Sequence, residues 1–525
     1  MIKISELIEP SLDAIDYRAK EKKKFFTNSY LTTNFLEKGC NSNCYYFIGE
    51  KGTGKTALAF HIHNTSPKEI GAKLISISET QYTRFISLKQ SGKLEYTDYS
   101  IIWRATILYL MAKLVIEKKK NIIHKLSGKF SAIEAAISKY DSDSQIPELE
   151  YVIEFVTTLT ESSEISAAIP KVITAGASEK ESISTKATTK EIKAALLDCE
   201  KILKDGLKSS NIKGDIVLFI DGLDAKPNGV DFNEYQKCLT GLAEAAWHLN
   251  SEYFSTIKDA KGKMRCVLLL RPDVFDSLNL HNSNCKLSDN SVLFHWHTTV
   301  DDYLNSDLYK ISNKYFTAQC GSENGWSQYF KEGNDNRSKS FKHILKNSFQ
   351  RPRDIFAAIK ILIGINKRSG KGDNKHFSIE MLESAKFNDE YSDYLLGEVK
   401  NYANYYITNA EFDTYASFFQ KLNGSTKFNY SDFCMAFEQF MMSSSTKSLT
   451  LNNAAITAES FLQFWYDVNV IGYTEPLQGG SNNYYHWSLR ERSPSKVMPK
   501  IKVNCTYLVH PGVAKALNLG AKFTN

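Results

Sequence analysis

The sequence predicts an α/β fold, a phosphate-loop nucleotide-binding core on a parallel sheet, and three observations carry that expectation. The first is the stretch Cys44 to His63. An aromatic and β-branched run, Tyr45 to Ile48, breaks at Gly49 into a loop with Gly52 and Gly54, and Lys55-Thr56 then opens an apolar helix. The second is Asp215 to Asp224, where apolar residues end in Asp221. The third is the alternation of further apolar runs, Met264–Leu270 and Ser291–His295, with helical stretches, which suits parallel strands joined through helices.

Composition bounds the rest. A chain of 525 residues suggests three or four domains, and 42% hydrophobic with 24% charged residues is ordinary for a soluble globular protein. A net charge of +6 is too mild over this length to argue for nucleic acid by itself. The 28 Tyr and 30 Phe point to aromatic packing. Nine Cys, without a repeated C-x-x-C, read as reduced structural thiols; Cys40 and Cys44 resemble half a zinc site but no second pair follows. The N-terminus lacks a long apolar signal core. The apolar helix Ile101–Ile116 carries Arg104 and Lys113 and is too short to span a bilayer. A cytoplasmic protein without a membrane partner is expected.

In chain order, residues 1–43 read as polar helix with a basic run at Lys22–Lys24. A second strand is expected at Lys73–Ser78, then a helical insertion over about 80–210. Within it, Ser100 caps a helix with Ile101, Trp103, Ile107, Leu108, Met111, Leu114 and Val115 on its apolar positions. Two helical segments follow near 129–140 and 147–161, then a Ser/Thr/Ala-rich connection at 162–190. Thr188-x-x-Glu191 forms a capping box for a helix with Ile192, Leu196, Leu203 and Leu207 on one face. Helices are expected at about 300–317, from Ser340 to Gln350, and from Pro352 to Leu362, with a boundary loop at 366–376. Further helices near 378–406, 410–422, 430–442 and 457–468 precede two strand-like runs, Tyr484–Leu489 and Tyr507–His510. Helices followed by such a hairpin suggest a winged-helix domain. The expected domains are 1–325, 326–400 as a helical lid, and 401–525.

The loop residues have defined chemistry. Glycines let backbone N–H groups converge on phosphate oxygens, and the helix N-terminus adds partial positive charge. Gly49, Gly52, Thr53, Gly54, Lys55, Thr56 and Ala57 form the expected nucleotide-binding set. Lys55 reaches the β- and γ-phosphates and the Thr56 hydroxyl ligates Mg²⁺. Asp221, at a buried strand tip, holds the same Mg²⁺ through water. Arg271, at the tip of Met264–Leu270, suits a γ-phosphate sensor. Arg351 and Arg353 either reach a nucleotide from a lid or serve as a cap with ion pairs. Arg490, Arg492, Lys496, Lys500 and Lys502 make a basic wing that either touches DNA phosphates or packs on the nucleotide core.

The set Gly49-x-x-x-x-Gly54-Lys55-Thr56, Phe219-Ile-Asp-Gly-Leu-Asp224, Leu270-Arg-Pro-Asp273 and Arg351-Pro-Arg-Asp354 resembles a bacterial family of STAND-like ATPases, signal-transduction relatives of the AAA+ class. Tyr485-His-Trp487 and Val509-His-Pro-Gly512 look like that family's winged-helix end. The resemblance implies a sheet of order 5-1-4-3-2, ATP and Mg²⁺ as cofactors, Asp221 as the acid of the second motif, Arg271 as sensor and Arg351 or Arg353 as lid arginine. It further implies a switch in which ATP permits homo-oligomerisation, hydrolysis resets it, and a separately encoded protein effector is controlled, often in anti-phage defence. Many AAA+ enzymes place Glu directly after the Asp221 position. Here Gly222 stands there, and Asp224 is the nearest acid that could take the role, so slow or partner-dependent turnover is expected. No nuclease, protease or TIR-like constellation is visible.

Overall fold

The structure is a computed structural model. It describes residues 2–520 apart from 79–81, 84–85, 87–97, 120–188, 209, 211, 225, 228, 258–260, 300–301, 331–338, 371–373, 443–449, 452–453, 477–482, 494 and 497. The helical segments expected near 129–140 and 147–161, Thr188 of the capping box, and residues 162–188 of the connection lie outside the described residues. The chain divides into two compact units: Asn34–Ile48 with Leu58–Leu293, and Met1–Thr33 with Gly49–Ala57 and Phe294–Asn525.

The first unit is α/β. Its sheet has five strands, β1 (Tyr46–Ile48), β2 (Gly71–Ser76), β3 (Ile216–Asp221), β4 (Met264–Leu270) and β5 (Ser291–Leu293). All neighbours are parallel and the order is β5-β1-β4-β3-β2, the order the resemblance implied. The three central strands are apolar nearly throughout because both sheet faces are covered. β1 and β4 are buried along their whole length, and β3 is buried until Asp221. The second strand sits two residues earlier than its sequence-based limits.

The helix Asp98–Lys119 is the main cover. It is long and apolar enough to cross a membrane, but 83% of its apolar window is buried inside the protein, as in a core helix. Its Trp103 donates its indole N–H to the Cys238 carbonyl at 3.1 Å, on the helix Phe232–His248. Gly241 of that helix permits the approach, since a Cβ there would stand 2.6 Å from the Tyr99 Cβ. Ser100 is not the expected cap. The helix already runs from Asp98, and the Ser100 hydroxyl accepts from Arg104 at 3.1 Å. Arg104 also grips Glu200 at 3.0 and 3.1 Å, tying this helix to Thr189–Lys208, whose Leu196, Leu203 and Leu207 are buried as their spacing predicts.

The second unit is helical around an aromatic core. Phe316, Trp326, Phe330 and Phe341 pack ring on ring, with Trp326 stacked 4.2 Å from Phe330. The helix expected from about 300 is Asp307–Cys320, because Ser306 accepts from the Tyr309 N–H and sets its start. Helix Pro352–Arg368 runs beyond Leu362 to Arg368 and takes in the first three residues of the expected loop, with Lys367 and Arg368 in its last turn, where cations complement the helix dipole. Helix Ala385–Ala403 follows.

Near the C-terminus come the helices Asn409–Ala416, Tyr430–Met441 and Ala458–Asp467. The strands are β6 (Lys427–Asn429), the two-residue β7 (Thr450–Leu451) and β8 (Ala454–Ala455), then β9 (Ile471–Pro476), β10 (Asn483–His486) and β11 (Thr506–Val509). The expected hairpin needs correcting. β10 and β11 do not pair with each other; β9 lies between them, antiparallel to both, in the order β10-β9-β11-β6. Gly472 and Pro476 disguise β9 as a turn. Gly472 is there to admit Trp487, whose ring would stand 2.7 Å from a Cβ at that position.

Candidate functional site

The chain leaves the carboxyl end of β1 directly into the loop Gly49–Thr56, and helix Lys55–Thr65 opens at its far end. Each glycine has its own reason. At Gly49 a Cβ would meet Thr53 Oγ1 at 2.5 Å and the Phe294 side chain at 2.7 Å. Gly54, at φ +94°, has nothing within 4 Å of such a Cβ; it is glycine for its left-handed backbone. The turn is pinned at Glu50, whose carbonyl accepts from the Thr53 hydroxyl at 2.7 Å and the Thr53 N–H at 3.2 Å. Lys55, only 9% exposed, donates to the Gly49 carbonyl at 2.6 Å and the Glu50 carbonyl at 3.0 Å. Its ammonium is therefore drawn back over the loop at a helix N-terminus, where the first backbone N–H groups have no helical acceptor. Thr56 and Ala57 follow in the first helical turn, both half-buried. A positive side chain, a glycine turn and a helix N-terminus make an anion site of the kind that holds phosphate. These residue types fit the phosphates of a nucleoside triphosphate.

The loop is braced from outside by residues far along the chain. Arg351 donates to the Lys51 carbonyl at 2.9 Å, and its fork grips Asp354 in a buried bidentate pair with contacts of 2.6 to 3.1 Å. Burial opposes the charge on Arg351, but the facing Asp354 and Glu398 carboxylates outweigh it and hold the guanidinium protonated. Arg353 gives its backbone N–H to Gly52 at 3.3 Å and its side chain to the Leu12 carbonyl and to Glu398. Both arginines expected on a nucleotide thus bond to protein groups around the loop. Their ion pairs are buried or half-buried rather than on the surface, and Arg351 makes no side-chain capping bond to its helix.

Trp296, just past β5, donates its indole N–H to the Thr53 carbonyl at 2.8 Å. Next to it, His297 Nδ1 and the Thr298 N–H share the Gln350 side-chain oxygen, at 2.8 and 3.2 Å. Burial pushes His295 and His297 below the usual histidine range, keeping these imidazoles neutral. From the C-terminal region Arg492 and Asn469 reach the Glu50 carboxylate. Arg492 is therefore no part of an exposed basic wing: it is 8% exposed. Lys502 pairs with Glu475 at 2.6 Å, and Lys496 lies 3.9 Å from Glu491. Arg490 is half-buried, and Lys500 is exposed.

In the α/β unit, Asp221 ends β3 and its Oδ1 accepts from the Gly222 N–H at 2.8 Å. Gly222 has φ +82°, and a Cβ there would stand 2.4 Å from the Ile77 carbonyl oxygen. No side chain fits, so the glutamate common in AAA+ enzymes has no room at this position. Arg271, at the tip of β4, is 2% exposed; it forms a two-contact ion pair with Asp273, and Asp224 lies 3.8 Å away. Asp221, Asp224 and Arg271 thus gather at the carboxyl edge of the sheet from which β1 also leaves. Among the described residues no three His, Cys, Asp or Glu side chains cluster as a metal site. Mg²⁺ asks for less, one or two protein ligands with phosphate oxygens and water; Thr56 carries a hydroxyl in the first turn of its helix and, in the α/β unit, Asp221 carries a carboxylate at the tip of β3.

Sequence reasoning missed Glu50, Trp296, Gln350, Glu398 and Asn469. Their only signals were an acid inside the loop and a tryptophan beyond the last strand. Comparison with known proteins finds no matching family model and no significant match among curated proteins.

Proposed function

We propose that this chain is an ATP-binding, slowly hydrolysing switch that controls homo-oligomerisation or a separately encoded protein effector. The supporting observation is the loop Gly49–Thr56, leaving a central strand and entering a helix with Lys55 over the turn. In this reading the core is a phosphate-loop fold, residues 326–400 act as lid and 401–525 as a winged-helix-like domain. Lys55 and the loop N–H groups hold the triphosphate, and Thr56 and Asp221 are the Mg²⁺ ligands. Bound Mg²⁺ would supply charge neutralisation at the phosphates. Asp224 is taken as the catalytic acid and Arg271 as the γ-phosphate sensor; with Gly222 in the glutamate's place, turnover is slow or partner-stimulated. Residence in a bacterial defence system follows from the resemblance alone.

The test is nucleotide binding by a purified Lys55→Ala variant, read with a fluorescent ATP analogue. Binding should fall at least a hundredfold, whereas Asp221→Asn should bind and release phosphate more slowly. An unchanged affinity in Lys55→Ala would remove the reading. Mass measurement with a non-hydrolysable ATP analogue tests assembly. The second reading, a DNA-binding ATPase, is weakened by the contacts of Arg492, Lys496 and Lys502; duplex binding at low salt that flattens on neutralising Arg490 and Lys500 would revive it.

A further inference from the structure

We propose that Arg492 and Asn469 are positioning residues of the phosphate loop, acting through Glu50 to neutralise an acid built into an anion site. The proposal rests on the nucleotide reading and adds a residue set to it. Glu50 lies between Gly49 and Lys51, 6% exposed. Its Oε1 stands 2.7 Å from Arg492 Nη1, and Asn469 donates its amide N–H to the same carboxylate at 3.2 Å. Both partners are themselves fixed. Arg492 donates to the Asp467 carbonyl and the Ser488 hydroxyl, each at 3.2 Å. Asn469, in a left-handed backbone that asparagine tolerates, accepts from the Leu489 N–H at 2.8 Å.

Two physical consequences follow. A carboxylate beside a phosphate site repels the ligand unless it is neutralised, and in a buried setting that repulsion is poorly screened. Arg492 supplies the neutralising charge. Glu50 also links two jobs in one residue: its carboxylate is held by the C-terminal partners, while its carbonyl seats Thr53 and Lys55. Moving the carboxylate moves the seat of the loop lysine. Occupancy of the loop and seating of Arg492 are then coupled, and the coupling is reciprocal.

The experiment measures binding of the fluorescent ATP analogue to full-length wild type, Arg492→Met, Glu50→Gln and the double variant, with hydrogen exchange of amides 49–57 followed without ligand. Arg492→Met should weaken binding about tenfold or more, and adding Glu50→Gln should restore it, because the unneutralised charge is then gone. Glu50→Gln alone removes the acid along with its need for neutralisation, so it should bind more tightly than Arg492→Met. Wild-type affinity in Arg492→Met, or a loss that Glu50→Gln does not restore, would overturn the proposal; the second outcome would make Arg492 merely structural. If Arg492→Met does not fold, Arg492→Lys keeps the charge and should keep the affinity, and a tenfold loss there would overturn the charge argument. If wild type binds no nucleotide, the functional reading fails. Exchange then decides the clasp alone: faster exchange in Arg492→Met, restored in the double variant, supports it, and unchanged exchange overturns it.

Discussion

Asp221 at the tip of β3 bonds to its own neighbour Gly222, and Arg271 at the tip of β4 bonds to Asp273 two residues on. The loop Gly49–Ala57 is secured quite differently. Its braces come from 243 residues downstream in the case of Trp296 on Thr53, and 419 in the case of Asn469 on Glu50. At the strand tips the closest side-chain contacts are local, and Asp224 stands farther off, 3.8 Å from Arg271. The loop has local bonds too, from Thr53 and Lys55 to the Glu50 carbonyl, but it adds a set of contacts from distant polypeptide. The two regions should therefore respond differently to substitution, and the largest difference should come from the braces.

Asp354→Ala should be the most damaging change. It leaves the Arg351 guanidinium buried without its bidentate partner, which costs about 3–5 kcal/mol. The midpoint of urea denaturation would check this, and a shift worth under about 1 kcal/mol would break the contrast between braced loop and self-held tips. Gly222→Glu comes next. It introduces a glutamate directly after Asp221 but forces a side chain onto a left-handed residue facing the Ile77 carbonyl, so stability should fall by about 1–3 kcal/mol. Phosphate release should fall too; a gain would show that the strand tip can yield.

A pH effect sharpens the comparison on the loop's side. His510 is fully buried and accepts from the Gly512 N–H; burial first, then Arg490 and Arg351, lower it to about 3. Its unfolded value lies near 6.5. The unfolded chain thus binds the extra proton between those limits. The stability His510 contributes is present above about pH 6.5 and lost as pH falls toward 3, at roughly 1.4 kcal/mol per unit. A His510→Gln variant should lose that one-proton slope in denaturation midpoints taken from pH 4 to 7. The smallest effect belongs to Trp296→Phe, which removes one hydrogen bond to the Thr53 carbonyl. It should cost about 1 kcal/mol and quicken exchange of loop amides without touching Asp221.

The same contrast explains what could be read in advance. β1, β3 and β4 are apolar runs ended by glycine or a charge, so their limits and order followed from pattern and resemblance. Gly222 announced itself as a departure, although the reason, the Ile77 carbonyl, needed coordinates. Ser100 looked like a cap because Ser, Thr and Asn resemble one another at helix starts; Asp98 had already begun the helix. β9 was hidden because Gly472 makes way for Trp487, and a strand with a glycine and a terminal proline reads as a turn. Glu50, Gln350 and Asn469 follow no period, and nothing in a single chain couples position 50 to position 492. Long-range polar pairs are settled by tertiary folding, and the sequence has no local trace of them.

The way the loop is braced has a practical corollary. A chain ending at Leu293 would keep all five strands of the parallel sheet, the motif Gly49–Thr56 and the acids at the strand tips. It would lose Trp296, Gln350, Arg351, Arg353, Asn469 and Arg492 together. Such a fragment would look complete by its motifs and yet lack the scaffolding that shapes its most conspicuous one. In this protein the loop Gly49–Thr56 is not a removable cassette: it is held by polypeptide that lies hundreds of positions further along the chain.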